Sequence, residues 1–141
     1  MCRMRFESAA EAIAVLTTNG FRVAHEAEEP THFDNTYVDL KRGNVLLRVV
    51  REQGRHFVEL TSKRDRSEWF DAALLLRLLD VRELQPYGVD GAAVANLARH
   101  TVKMFDQIDE AFSRRKWHET VEKLNELQKR RWDERLGSLM T

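Results

Sequence analysis

The chain has few of the residues that force a fold or a chemistry. It has one cysteine, Cys2, so no intramolecular disulfide can form. The reading is a reducing compartment and a thiol with no metal or redox role. No unbroken apolar run is longer than that of Ala72–Leu76, far below the ~20 residues that cross a bilayer. The start, Met1-Cys2-Arg3-Met4-Arg5, has basic residues with no apolar run after them, so no signal peptide is expected. Neither sign of charge prevails: 23 Lys and Arg balance 23 Asp and Glu, and each half is within one unit of neutral. There is accordingly no global field to gather nucleic acid or an acidic membrane. GxSxG, HExxH and Gly-rich phosphate loops are all missing, which removes the common nucleophile, zinc-protease and nucleotide signatures.

What is present reads as a soluble, cytoplasmic globular protein. The 141 residues make one domain, 1–141, long enough to bury about two-thirds of the unfolded surface. Its most informative feature is a change of rhythm near residue 66. Before it, apolar residues come in short runs broken by Lys41-Arg42-Gly43-Asn44 and Glu52-Gln53-Gly54-Arg55; after it, helical spacing takes over. The expected fold is therefore α+β, with a helix plus antiparallel sheet in 1–66 and a helical layer in 67–141.

In detail, Ser8 and Glu11 have capping-box spacing, and Ala9, Ala12, Ile13 and Leu16 follow at helical intervals to Asn19-Gly20. From Phe21 to Glu28 the chain alternates with a period of two, and Pro30 ends the strand. Thr36–Lys41, Val45–Arg51 and His56–Thr61 complete a four-stranded meander, with Gly43-Asn44 and Gln53-Gly54 at the tight turns. Val45–Val50 is apolar on both faces apart from Arg48, which places it centrally, with helices over at least one face.

Three helices are expected to pack on that sheet. The first is Glu68–Leu79, capped by Asp65 or Ser67. A second starts at Asp90, and a third carries Trp117, Val121, Leu124 and Trp132. One helix over 90–136 would be about 70 Å long against a domain diameter of roughly 40 Å. The last two are therefore expected to form a hairpin broken at Ser113–Lys116.

None of the five histidines has metal-ligand spacing, so they read as surface or core histidines and no cofactor is expected. Basic clusters such as Lys63-Arg64-Arg66 and Arg114-Arg115-Lys116 have acids nearby in sequence and read as solvated faces. The segment 26–35 concentrates Glu26, Glu28, Glu29 and Asp34, either as an acidic mimic docking a basic partner or as an ordinary polar loop. The hairpins carry Tyr37, Asp39, Arg48, Phe57 and Glu59, a mixture that suits an interface. These nine residues are the expected partner-binding set.

The order helix, antiparallel meander and Ser67-Glu68-Trp69-Phe70-Asp71 opening a Leu-rich helix resembles small bacterial proteins of one kind. So does the end, Phe112-Ser113-(x)3-Trp117-(x)2-Thr120 followed by Glu122-(x)-Leu124 and Arg130-Arg131. It resembles immunity proteins of polymorphic-toxin and contact-dependent inhibition systems. The resemblance implies a non-catalytic cytoplasmic inhibitor that binds and occludes a cognate toxin domain; it assigns no role to an individual residue. Two other functions remain as alternatives. One is a nucleic-acid-binding regulator using the basic helical hairpin, and the other is a homodimer paired through Trp117, Val121, Leu124 and Trp132.

Overall fold

The computed structural model describes residues 9–29, 35–52, 54–79 and 91–140. The chain begins with α1 (Ala10–Thr18) and continues into β1 (Arg22–Glu29), β2 (Asn35–Arg42), β3 (Val45–Glu52), β4 (Arg55–Ser62) and β5 (Asp65–Asp71). The helices α2 (Ala72–Leu78), α3 (Gly91–Lys103), α4 (Phe105–Ala111) and α5 (Trp117–Met140) follow. All five strands pair antiparallel in sequence order, so β3 is central, as its apolar run implies. Ser8 and residues 80–90, which include Asp90 at the expected start of the second helix, lie outside the described residues.

The sheet has five strands where four were expected, because the chain pairs once more before becoming helical. Residues 65–71 form β5 against β4, with Leu60 opposite Phe70 and Glu59 opposite Asp71. Phe70 is in the core and Trp69 faces the other way, the alternation of a strand. The helix expected over Glu68–Leu79 therefore starts at Ala72. Its cap is Asp71, in extended conformation, whose Oδ1 accepts the Ala73 N–H at 2.8 Å. The expected caps do other things. Asp65 Oδ2 accepts the Trp117 indole N–H at 3.1 Å, and Ser67 lies inside the strand.

One face of the sheet builds the core. Val38, Leu40, Val45, Leu47, Val49, Val58 and Leu60 are buried there against Leu16, Leu75, Ile108, Phe112 and Leu124 of the helices. Each such side chain contributes about 1.5–3 kcal/mol when fully buried. The most extensive helix–helix contact joins α1 to α3, and both bury alanines (Ala9 and Ala12; Ala95 and Ala98) that allow close approach. The exposed Glu11–Arg99 ion pair spans the same two helices.

The long helical stretch breaks where length required. Ser113 N–H bonds to the Glu110 carbonyl, and the Ser113 carbonyl then accepts from Lys116 and Trp117, opening α5. Thr120 Oγ1 donates to the Ala111 carbonyl at 2.7 Å and straps α5 to the end of α4. The stretch before the break is itself divided at Met104, although i→i−4 bonding continues through that residue. Beyond its first turn α5 packs chiefly on α2, so the expected hairpin of the last two helices is only partly realised. No described helix is long and apolar enough to cross a membrane.

Candidate functional site

The register of the sheet assembles the site. His25 lies opposite Asp39, Asp39 opposite Arg48, Arg48 opposite Glu59 and Glu59 opposite Asp71. One titratable or charged residue from every strand thus stands in a single transverse row. Side chains alternate across a strand, so the row shares the face that points away from Val38, Leu47, Val58 and Leu60. Beside it runs an apolar row, Tyr37, Val50 and Phe57, in register across β2 to β4. Among the described residues the helices build the core on the other face, and α5 reaches this one at its edge, where Arg131 Nη1 lies 3.7 Å from Asp71 Oδ2.

Arg48 is the centre. Its Nε donates to Asp39 Oδ1 at 2.7 Å and its Nη2 to Asp39 Oδ2 at 3.1 Å, a bidentate pair. The guanidinium carbon lies 4.2 Å from the Tyr37 ring centroid and 4.2 Å from that of Trp69. Arg48 is thus clamped between two rings while gripping a carboxylate, and Tyr37 is in turn 5.8 Å from the His25 ring. The hydrogen bond that Arg48 donates to Asp39 raises the Arg48 pKa above its ordinary value, against the opposing effect of burial. Glu59 is half-buried on the other side. Burial pushes its carboxyl up; Arg48 opposes this, while Asp71, Glu52 and Asp39 add to it. The face therefore offers a fixed cation, two rings and a carboxyl held above its ordinary pKa, on a rigid support.

Of the nine residues expected to bind a partner, Tyr37, Asp39, Arg48, Phe57 and Glu59 share this face, as the register shows. The acidic segment divides differently. β1 extends through Glu29, so Glu26, Glu28 and Glu29 belong to a strand and not to a loop. Glu26 is exposed and lies opposite core-facing Val38, on the other face from His25. Glu28 and Glu29 pair with Thr36 and Asn35 at the end of the ladder, and Asp34 lies outside the described residues. Sequence reading missed Trp69, Val50, His25 and Asp71. For Trp69 the signal was the aromatic pair Trp69-Phe70 in a stretch that reads equally as the first turn of a Leu-rich helix.

The other expected surfaces are placed as follows. Trp117 is buried, its ring 4.7 Å from Phe112 and 6.2 Å from Phe70, and Leu124 is fully buried. Val121 is half-buried, while Trp132 is 58% exposed and Leu136 41% exposed. Lys116 is paired with Glu110 at 2.8 Å, and Arg114 and Arg115 are exposed in the turn. Among the described residues no group of three or more His, Cys, Asp or Glu side chains could hold a metal ion. No family of known proteins matches the chain, and neither does any curated protein or any solved structure.

Proposed function

We propose that this chain is a non-catalytic protein-binding module that docks its partner on the open face of the sheet. We propose further that it acts as an immunity protein neutralising a cognate toxin domain. The observation that carries the docking surface is the convergence of Tyr37, Asp39, Arg48, Phe57 and Glu59 on the sheet face opposite the helical core of the described residues, joined there by Trp69. Tyr, Trp and Arg dominate the energetics of protein interfaces, and here they are held rigid, which lowers the entropy lost on docking. The apolar row beside them supplies area that water leaves on contact. The toxin identity rests on the resemblance in element order and in the motifs around residues 67–71 and 112–131.

The test is to identify the adjoining genes and to co-produce this chain with a toxin domain found there. Protection and a stable one-to-one complex are expected, with Trp69→Ala weakening the complex by about 2 kcal/mol or more, the range of an interface hot spot. A toxin that stays lethal in the presence of the wild-type chain sinks the immunity reading. Undiminished affinity in Trp69→Ala and Arg48→Ala sinks the docking surface.

A second reading, a homodimer, is favoured by one observation. Trp132 and Leu136 stand exposed on α5 beside a groove of about 600 Å³ bordered by Phe70, Leu74 and Arg131. A monomeric mass at 100-fold dilution and at high concentration alike would remove it.

A further inference from the structure

Three turns converge at one end of the open face: α1–β1 at Gly20, β2–β3 at Gly43 and Asn44, and β4–β5 at Lys63 and Arg64. Between them is a groove of about 660 Å³ lined by Arg22, His25, Lys41, Arg42, Lys63 and Arg64. Among the described residues the one carboxylate in its wall is Asp39, which Arg48 already holds. Arg22 and Lys41 are direct cross-strand partners, a like-charge placement that destabilises a sheet by itself. None of Arg22, Lys41, Lys63 and Arg64 forms an ion pair with a described residue. Several other exposed charges are paired: Glu119 with Lys123, Glu126 with Arg130 and Glu110 with Lys116.

The groove is also built. Asn44 donates its backbone N–H to Asp109 Oδ1 at 2.7 Å, which ties the β2–β3 turn to α4. Lys63 N–H bonds to the Asn44 carbonyl at 3.1 Å, which ties the β4–β5 turn to the first. The Arg42 guanidinium stacks 3.8 Å from the Phe105 ring centroid, and its Nε lies 3.1 Å from where a β-carbon on Gly20 would stand. Arg42 is therefore a fixed cation in the floor, with exposed lysines and arginines around it.

We propose that this groove binds a small polyphosphorylated anion, with Arg22, Lys41, Lys63 and Arg64 as its ligands and Arg42 as the fixed cation that positions it. Its volume falls within the ~300–1,000 Å³ typical of small-molecule sites. Five permanent cations call for several negative charges close together, which a diphosphate or triphosphate carries, and arginine forks match phosphate oxygens. A nucleic-acid strand fits less well. Continuing across the face it meets Asp39, Glu59 and Asp71, and then the apolar row. Its five cations are not in the docking row, with which the groove shares only His25 and Asp39 of its wall, and the site stands independently of the immunity reading.

The experiment is calorimetric titration of the whole chain at 150 mM salt with inorganic pyrophosphate, tripolyphosphate, ATP and a 20-nucleotide single strand. Saturable one-to-one binding of tripolyphosphate is expected, with Lys63→Ser/Arg64→Ser weakening it at least about tenfold, since each charged hydrogen bond approaches that factor. Arg114→Ser/Arg115→Ser, which removes two exposed cations at another turn, should leave affinity unchanged. Tighter binding of ATP than of tripolyphosphate would identify a nucleotide as the source of the phosphates; equal binding would identify the phosphates alone. Should Lys63→Ser/Arg64→Ser lose its fold by circular dichroism, Lys41→Ser carries the same expectation. No saturable heat, equal loss in the Arg114/Arg115 variant, or tenfold preference for the 20-nucleotide strand each overturns the proposal.

Discussion

The clamp on Arg48 makes a quantitative prediction. The Asp39 side chain is only 11% exposed, whereas that of Arg48 is 27% exposed. Removing either partner of a buried pair leaves the other uncompensated at about 3–5 kcal/mol, and less when the survivor can reach water. The two substitutions should therefore be unequal. Arg48→Met strands a buried carboxylate and also forfeits contact with two rings, each worth about 0.5–1 kcal/mol. We expect about 3–5 kcal/mol for it. Asp39→Ala leaves a guanidinium still stacked on Tyr37 and Trp69 and partly solvated, so about 1–2 kcal/mol is expected, the penalty for an unsatisfied polar group. The double variant removes both charges and should cost less than the sum, giving a coupling of about 2 kcal/mol, within the ~0.5–3 kcal/mol seen for contacting residues. Urea unfolding of the four proteins measures this. Repeated in 0.5 M salt, the coupling should largely persist. The exposed Glu126–Arg130 pair should show only about 0.3–0.5 kcal/mol, and salt should erase it. A coupling under about 0.5 kcal/mol, or Asp39→Ala costing more than Arg48→Met, would refute the reasoning.

Three further outcomes follow from the geometry. Glu59 has a folded-state pKa above its unfolded one, so its contribution is full below the unfolded pKa and is lost as pH rises through the folded one. Glu59→Gln should accordingly raise Tm at pH 7–8 and gain nothing at pH 4; equal gains at both would contradict the burial argument. Gly43 has φ +56°, and a β-carbon there would stand 2.4 Å from Asp109 Oδ1, so Gly43→Ala should cost about 2–3 kcal/mol by denaturant unfolding. Gly54→Ala, at φ +78° in open space, should cost only about 1 kcal/mol. Asp71→Ala removes the α2 cap and should cost about 1 kcal/mol, read by thermal unfolding, while Asp71→Ser recovers most of it.

How far the fold was legible depends on whether each turn carried its own mark. β2, β3 and β4 are visible because Gly43 and Gly54, both at positive φ, sit between alternating runs. The β4–β5 turn is Lys63-Arg64, two residues with no glycine or proline, and nothing separates Trp69-Phe70 from the leucines after Ala72. Strand and helix therefore merge into one apparent helix, and the expected change of rhythm at residue 66 falls at the junction of Asp71 and Ala72. At the other end, Phe112 to Trp117 breaks the three-four spacing, and there the chain does turn. Tyr37, Asp39, Arg48, Phe57 and Glu59 could be picked by residue type alone. That His25, Asp39, Arg48, Glu59 and Asp71 form one row required the register, including the irregularity in β1 between Val23 and His25.

The sequence by itself determined the local structure: alternation made strands, three-four spacing made helices, and positive-φ glycines made two of the hairpins. It also determined that the net charge is zero. Only the tertiary structure decided which sheet face the helices take, because both faces of β3 are apolar and parity does not say which is inside. Nor does net charge say where charges meet. Arg22, Lys41, Lys63 and Arg64 come from two strands and one turn, far apart in the sequence. Pairing and turn geometry bring them to one groove, because interactions that decide a surface act through space and not along the chain.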